Sequence, residues 1–318
     1  MWSSAGIDPW PLLFLVYVND MAASTKCNVL LYADDSALMV SGKYISTIEM
    51  TLSSEVGSLH EWLVDNRLSL HFGKTESILF GSKRKLKKHD RLQIVCNGSD
   101  IESKKVVTYL GVTLDQHLSG EAIVDKIVSK CSNKVKFLYR KTRNFDLKTK
   151  KLLVSALIQC HFDYGCSSWY CGITQRNKGR LQSAQNKVLR FLLDASPRTH
   201  IGALEFSSLG LLPVEKRVEQ LKLNHMFNVY HRVAPSYIIS EFQPSNSTYE
   251  TRRNTSTFIL PSVKSFGINS LAYTGAKLWN MLPVSVKHTR GKHGFKKLVK
   301  EFLMSNVLSV YQNDFIYF

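Results

Sequence analysis

Two adjacent carboxylates, Asp34 and Asp35, stand between the apolar runs Val29–Tyr32 and Ala37–Val40. Each run is four residues of mostly β-favouring or apolar type, which reads as two buried strands of a β-hairpin with the aspartates at its tip. Carboxylates in so apolar a setting are costly unless paired or bound to a metal ion. Asp is also a favoured turn residue, so a tight turn without chemistry is the competing reading. A second group, Cys160, His161, Cys166 and Cys171, has the spacing C-H-x4-C-x4-C. It matches no paired C-x2-C zinc template, and buried free thiols are the better assignment. His60-Glu61 has Val64 where a zinc protease needs its second histidine, which excludes that chemistry.

The elements that must position these groups are legible in part. Ile48, Leu52, Val56, Leu59 and Leu63 make one face of a helix across residues 44–65. Glu76–Phe80 reads as a strand, followed by a basic loop with Lys83, Arg84, Lys85, Lys87 and Lys88 suited to phosphates or simply to water. Asn97-Gly98, between Leu92–Cys96 and Ile101, is a two-residue hairpin signal. After Asp115 the period becomes helical. Ile123, Ile127, Cys131, Val135 and Leu138 form a stripe, opposed by Lys126, Lys130, Lys134, Lys136, Arg140 and Lys141. Asp146 is an N-cap candidate for a helix holding Leu152, Leu153, Ala156 and Leu157. A further helix near Arg176–Leu193 turns Leu181, Ala184, Val188 and Leu192 inward and bears Lys178, Lys187 and Arg190 on its polar side. Pro213 starts a helix running to Val233, with Val214, Val218, Leu221 and His225 on one side. Gln243–Thr257 reads as a loop. Lys287, Arg290, Lys292, Lys296, Lys297 and Lys300 form a second basic cluster.

The 318 residues carry 42 Lys+Arg against 25 Asp+Glu, a balance that points to a polyanionic partner. The charge is unevenly placed. Residues 1–73 hold three basic and eight acidic side chains, and residues 74–318 hold 39 and 17. The acidic part contains the aspartate pair, and the basic part is suited to nucleic acid. Six cysteines are too few for a disulfide scaffold. Met1-Trp2-Ser3-Ser4 lacks the basic start of a signal peptide, and Leu12–Val18 is too short to span a bilayer. An intracellular protein in nucleus or cytoplasm, not secreted, is expected. The sequons at Asn97, Asn246 and Asn254 then carry no meaning.

Several blocks, taken in order, carry a resemblance. Tyr32-Ala33-Asp34-Asp35 resembles the catalytic signature of reverse transcriptases, and Pro11-Leu12-Leu13-Phe14 with Tyr17-Val18-Asn19-Asp20-Met21 resembles the segment that precedes it in the non-LTR (LINE-type) retrotransposon family. Trp62, Asn66-Arg67-Leu68-Ser69-Leu70 and Lys74-Thr75-Glu76 are similar to the family's next segment, with His71 where Asn is usual. Tyr109-Leu110-Gly111-Val112 looks like its following hairpin. His161-Phe162-Asp163-Tyr164-Gly165, Leu181-Gln182 with Gln185-Asn186-Lys187, Ala234-Pro235-Ser236-Tyr237 and Leu278-Trp279-Asn280-Met281-Leu282-Pro283 continue the order.

The resemblance implies an α+β fold: a truncated polymerase palm at residues 1–115 (antiparallel sheet with helices), a mainly helical thumb-like domain at 116–195, and a mixed, basic C-terminal region at 196–318. It implies RNA-directed DNA synthesis with Mg²⁺ or Mn²⁺, an RNA template, a DNA primer and deoxynucleoside triphosphates, without a membrane. Asp34 would be the principal metal ligand and Asp35 the supporting one. Lys74 would be a proton donor or phosphate contact. Tyr32, Gly111, Lys83, Arg84, Lys85, Lys130, Lys134, Lys187 and Arg190 would contact nucleic acid. Near the start, only Gly6 and Pro11 keep the family's offsets, and Ala5, Ile7, Pro9 and Trp10 depart from it. The family's first catalytic aspartate lies upstream of this segment. The chain is therefore expected to be an N-terminally truncated piece with little polymerase activity of its own. The alternative is a catalytically inactive, nucleic-acid-binding remnant.

Overall fold

A computed structural model describes residues 10–87, 91–142, 144–245, 257–263 and 265–314. Ala5, Gly6, Ile7, Pro9, Lys88, the Asn246 and Asn254 sequons and most of the expected 243–257 loop lie outside them. The protein is α+β, and its chain forms two compact units, residues 1–118 and 119–318.

In the first unit, α1 (Trp10–Tyr17) is apolar yet buries no side chain, and the Tyr17 hydroxyl donates to the Asn66 carbonyl. Strands β1 (Asn28–Tyr32) and β2 (Asp35–Met39) pair antiparallel, with Tyr32 opposite Asp35. These strands are not the buried pair expected. Leu30, Tyr32 and Met39 are exposed. β1–β2 is a two-stranded sheet, so alternate side chains have nothing to pack against. Leu38 and Val40, on the other side, reach the core.

That core is built by α2 (Ile45–Asp65), which turns Ile48 and Val56 onto Leu79, Leu86, Ile94, Cys96 and Ile101 and also buries Leu59. β3 is only Glu76–Ser77, not 76–80. Its partner strand ends at Ser103, where Lys104 N donates to Ser77 O at 2.8 Å and closes the ladder. The basic segment is likewise a short helix, α3 (Lys83–Leu86), and not a loop. Ser82 Oγ accepts from Lys85 N at 3.3 Å, and buried Leu86 anchors the turn. β4 (Ile94–Cys96) and β5 (Ser99–Ser103) make the hairpin expected at Asn97-Gly98, whose φ values of 49° and 75° are those of a two-residue turn that follows strand twist. β6 (Val106–Tyr109) and β7 (Val112–Asp115) form a further hairpin.

The second unit is helical. α4 (Glu121–Lys141) buries the whole predicted stripe plus Val124. α5 (Leu147–Val154) is capped by Asp146, which accepts from Thr149 N, and runs through a π turn (Ser155–Gln159) into α6 (Cys160–Asp163). Its inward row is Lys150, Val154, Ile158 and Phe162, and Leu152 is 69% exposed. The expected row is displaced because Lys150 can be buried: its ammonium meets both oxygens of Asp194 at 2.6 and 2.8 Å. α7 (Cys166–Trp169) follows, then α8 (Gln175–Leu192), which buries Leu181, Ala184, Val188 and Leu192 as its period dictates and packs on α4.

After α9 (Ala203–Leu209) comes α10 (Val214–Tyr230), which the later helices over Leu271–Met281 and Lys292–Asp314 flank together with α6, α7 and α8. Helices on several sides bury Lys222, Leu223, Met226 and Phe227 and leave His225 exposed, contrary to the one-sided stripe expected. α11 (Ser236–Ile239), α12 (Leu271–Met281), α13 (Val284–Lys287) and α14 (Lys292–Asp314) complete the unit. Trp279, Phe295, Phe258, Phe227 and Phe242 join a core around α10, α12 and α14. Lys287 is buried, so it does not belong to an exposed basic cluster.

Candidate functional site

Pairing of Tyr32 with Asp35 leaves a two-residue turn, Ala33-Asp34, at the tip of the first hairpin. Ala33 adopts φ 52°, in the left-handed region, where a side chain costs about 1 kcal/mol. The turn puts Asp34 at the tip and Asp35 on the first position of β2, both exposed. Neither carboxylate has a hydrogen-bond or ion-pair partner among the described residues. Unpartnered adjacent carboxylate oxygens are hard donors, the type Mg²⁺ or Mn²⁺ takes. Among the described residues no group of three or more His, Cys, Asp or Glu is placed to hold a metal ion. By itself the pair could offer two oxygen donors to a divalent cation.

The other predicted residues of this unit are exposed and separate. Lys74 ends a short 3-10 turn, Phe72–Lys74, ahead of β3, and no hydrogen bond or ion pair joins it to Asp34 or Asp35. Gly111, with Leu110, makes the β6–β7 turn at φ 78° and 45°, which gives the glycine a structural reason independent of any ligand. Tyr32 is 66% exposed beside the aspartates. Lys83, Arg84 and Lys85 are exposed on α3.

In the second unit, Lys130 and Lys134 lie one helical turn apart on the exposed face of α4 and form no ion pair among the described residues. His161 of α6 lies near them. Burial first, then Lys130 and Lys134, hold its pKa below the ordinary histidine value. Phe137 adds a half-exposed ring on the same helix. Lys187 is exposed on α8, but Arg190 is committed to structure: its Nε donates to Thr199 O at 2.8 Å. Arg180 is likewise engaged by Glu121 and Asp125. Cys160, His161, Cys166 and Cys171 do not converge as a metal centre. All six cysteines are free, with Cys166 buried and Cys160 exposed.

Periodicity and motif spacing missed three polar contacts. Arg217 clamps Asp163 with Nε at 3.1 Å and Nη2 at 2.7 Å, Lys150 pairs with Asp194, and Lys222 meets Cys171 and Thr274. The partners are 44 to 54 residues apart in sequence, so no local pattern signals them.

The blocks singled out in the sequence also have visible structural work. Gln185 Nε2 donates to Leu212 O and Gln182 Oε1 accepts from Val214 N, fixing the start of α10. Asn280 receives Phe258 N and donates to Phe258 O. Comparison with models of protein families, with curated proteins and with solved structures finds no match for this chain.

Proposed function

We propose that this chain is a reverse-transcriptase polypeptide of the non-LTR retrotransposon kind that engages an RNA template and a DNA primer. The observation that carries the reading is the β1–β2 tip, where Asp34 and Asp35 stand exposed, without a partner among the described residues, in the Tyr32-Ala33-Asp34-Asp35 sequence. Mg²⁺ or Mn²⁺ held there would neutralise phosphate charge during nucleotidyl transfer. The exposed lysines of α4, with Lys187 and the α3 cations, would hold the phosphate backbone without regard to sequence.

The described residues bring only two carboxylates together, which favours nucleic-acid binding over vigorous catalysis for this chain by itself. Primer extension on an RNA template with Mg²⁺, comparing the chain with Asp34→Asn, tests the reading. The expected outcome is salt-sensitive binding of template–primer with at most weak extension. Strong extension that Asp34→Asn abolishes would show that the site is completed by a residue not assigned here. Absence of nucleic-acid binding at ~50 mM salt would remove the proposal altogether.

A further inference from the structure

Lys222 of α10 is 1% exposed. Its ammonium donates to Cys171 Sγ at 2.7 Å and to Thr274 Oγ1 at 2.7 Å. Thr274 Oγ1 itself donates to Ser270 O at 2.8 Å, so the hydroxyl turns a lone pair to the lysine. Neither partner is a carboxylate, an uncommon arrangement for a buried ammonium. Cys171 lies in the Tyr170–Gly172 turn and is half-buried. The other thiols have different neighbours. Cys96, Cys131 and Cys160 donate to backbone carbonyls and Cys27 to a threonine hydroxyl, whereas Cys166 is sealed in the core with its pKa pushed up to about 12 by burial.

We propose that Cys171 and Lys222 are an oxidant-dependent covalent pair, in which a peroxide oxidises the thiol and Lys222 captures the sulfur as a sulfenamide. The sulfur attacks one peroxide oxygen, forming an S–O bond and breaking O–O. Sulfur loses two electrons to the peroxide, and the departing hydroxide leaves as water with the thiol proton. Lys222 releases one proton to solvent, and its nitrogen then attacks the sulfur. The S–N bond forms, S–O breaks, and the oxygen departs as a second water with another amine proton. One thiol, one ammonium and one hydrogen peroxide thus give one sulfenamide, two waters and one proton. The nucleophile stands at contact distance before the reaction starts, an advantage that water or a second thiol from solvent lacks. The link would tie the Tyr170–Gly172 turn to α10, the helix against which α12 and α14 pack.

The test treats the full chain with hydrogen peroxide, digests it with trypsin and sequences the peptides by mass spectrometry. The expected product joins the Cys171 and Lys222 peptides, is lighter than their sum by two hydrogens, and resists cleavage after Lys222. Dithiothreitol returns both peptides to their original masses. Cys171→Ser, which keeps the size of the side chain, gives no linked peptide, and neither does Lys222→Met. The wild-type digest decides the matter if Lys222→Met fails to fold. Cys171 found as a sulfinic acid beside an unmodified, cleaved Lys222 overturns the proposal. So does a Cys171 that stays reduced while Cys160 is oxidised.

Discussion

The α4 face offers the sharpest test of how this chain would meet nucleic acid. Lys130 and Lys134 are four residues apart, which places them about 6 Å apart along the helix axis. Both are exposed and neither is ion-paired among the described residues, so replacing them with glutamine should leave folding within about 0.5 kcal/mol of wild type. If each contacts one phosphate of a duplex, the double variant should lower the slope of log K against log salt by about 1.8, since each neutralised phosphate contributes about 0.9. Between ~50 and ~200 mM salt the variant would then lose about tenfold less affinity than the wild type. Fluorescence anisotropy with an RNA–DNA hybrid measures both slopes. An unchanged slope, with binding intact, would refute the assignment of this face.

The same variant checks the local geometry by an independent route. His161 titrates below the usual value because of burial and then because of Lys130 and Lys134. Removing both positive charges should raise its pKa part of the way back, followed by NMR of the imidazole, while burial keeps it below the ordinary value. The stability consequence has a definite sign. With the folded pKa below the unfolded one, the unfolded chain binds more protons in the interval between them, so stability falls as pH falls through that interval. The double variant, with a smaller shift, should lose less stability on acidification than the wild type. A His161 that does not move would place the lysines elsewhere.

Three stability experiments follow from the second unit, each read by urea denaturation with circular dichroism. Gly120 precedes α4 with φ 70°, and an added Cβ would overlap Ile173 Cγ2, so Gly120→Ala should cost about 3 kcal/mol, and less when Ile173→Ala is present. Asp194→Asn should cost about 3 kcal/mol because it leaves the Lys150 ammonium buried without its countercharge, whereas Lys150→Met should fall within about 1 kcal/mol of wild type because Asp194 is mostly exposed to water. Asn280→Ala strips both backbone groups of buried Phe258 of their partners at 2.9 and 2.8 Å, and should cost about 2–4 kcal/mol.

What the sequence revealed and what it hid follow from the range of the forces involved. The α4 and α8 stripes and the Asn97-Gly98 turn were legible because local backbone geometry alone decides them. The β1–β2 hairpin was legible for the same reason, but its burial was not, because burial depends on what lies across the sheet. The phase of α5 was misread because a buried lysine looks like a surface residue until Asp194 is brought to it. α10 was misread because a helix surrounded on several sides has no single apolar stripe to find. The aspartate pair was singled out by residue type and spacing, and its lack of partners among the described residues is a tertiary fact that no spacing contains.

The same reasoning changes what the charge count means. An excess of basic residues over residues 74–318 suggests a broad polyanion-binding surface, yet several of those cations have internal partners. Lys150 faces Asp194, Lys222 faces Cys171 and Thr274, and Lys287 is buried with its ammonium near Asn280 O at the end of α12, where helix carbonyls are short of donors. Arg180, Arg190 and Arg217 are held by Glu121 and Asp125, by Thr199 O and by Asp163. A cation already paired releases no counterion when a phosphate arrives, and breaking its pair opposes the new contact. The charge open to a polyanion is therefore smaller than composition suggests and is concentrated where lysines are exposed and have no ion-pair partner among the described residues. On α4 Lys130 and Lys134 are two of them, beside the likewise exposed Lys136 and Lys141, which is why two neutral substitutions there should take away a measurable share of the salt dependence.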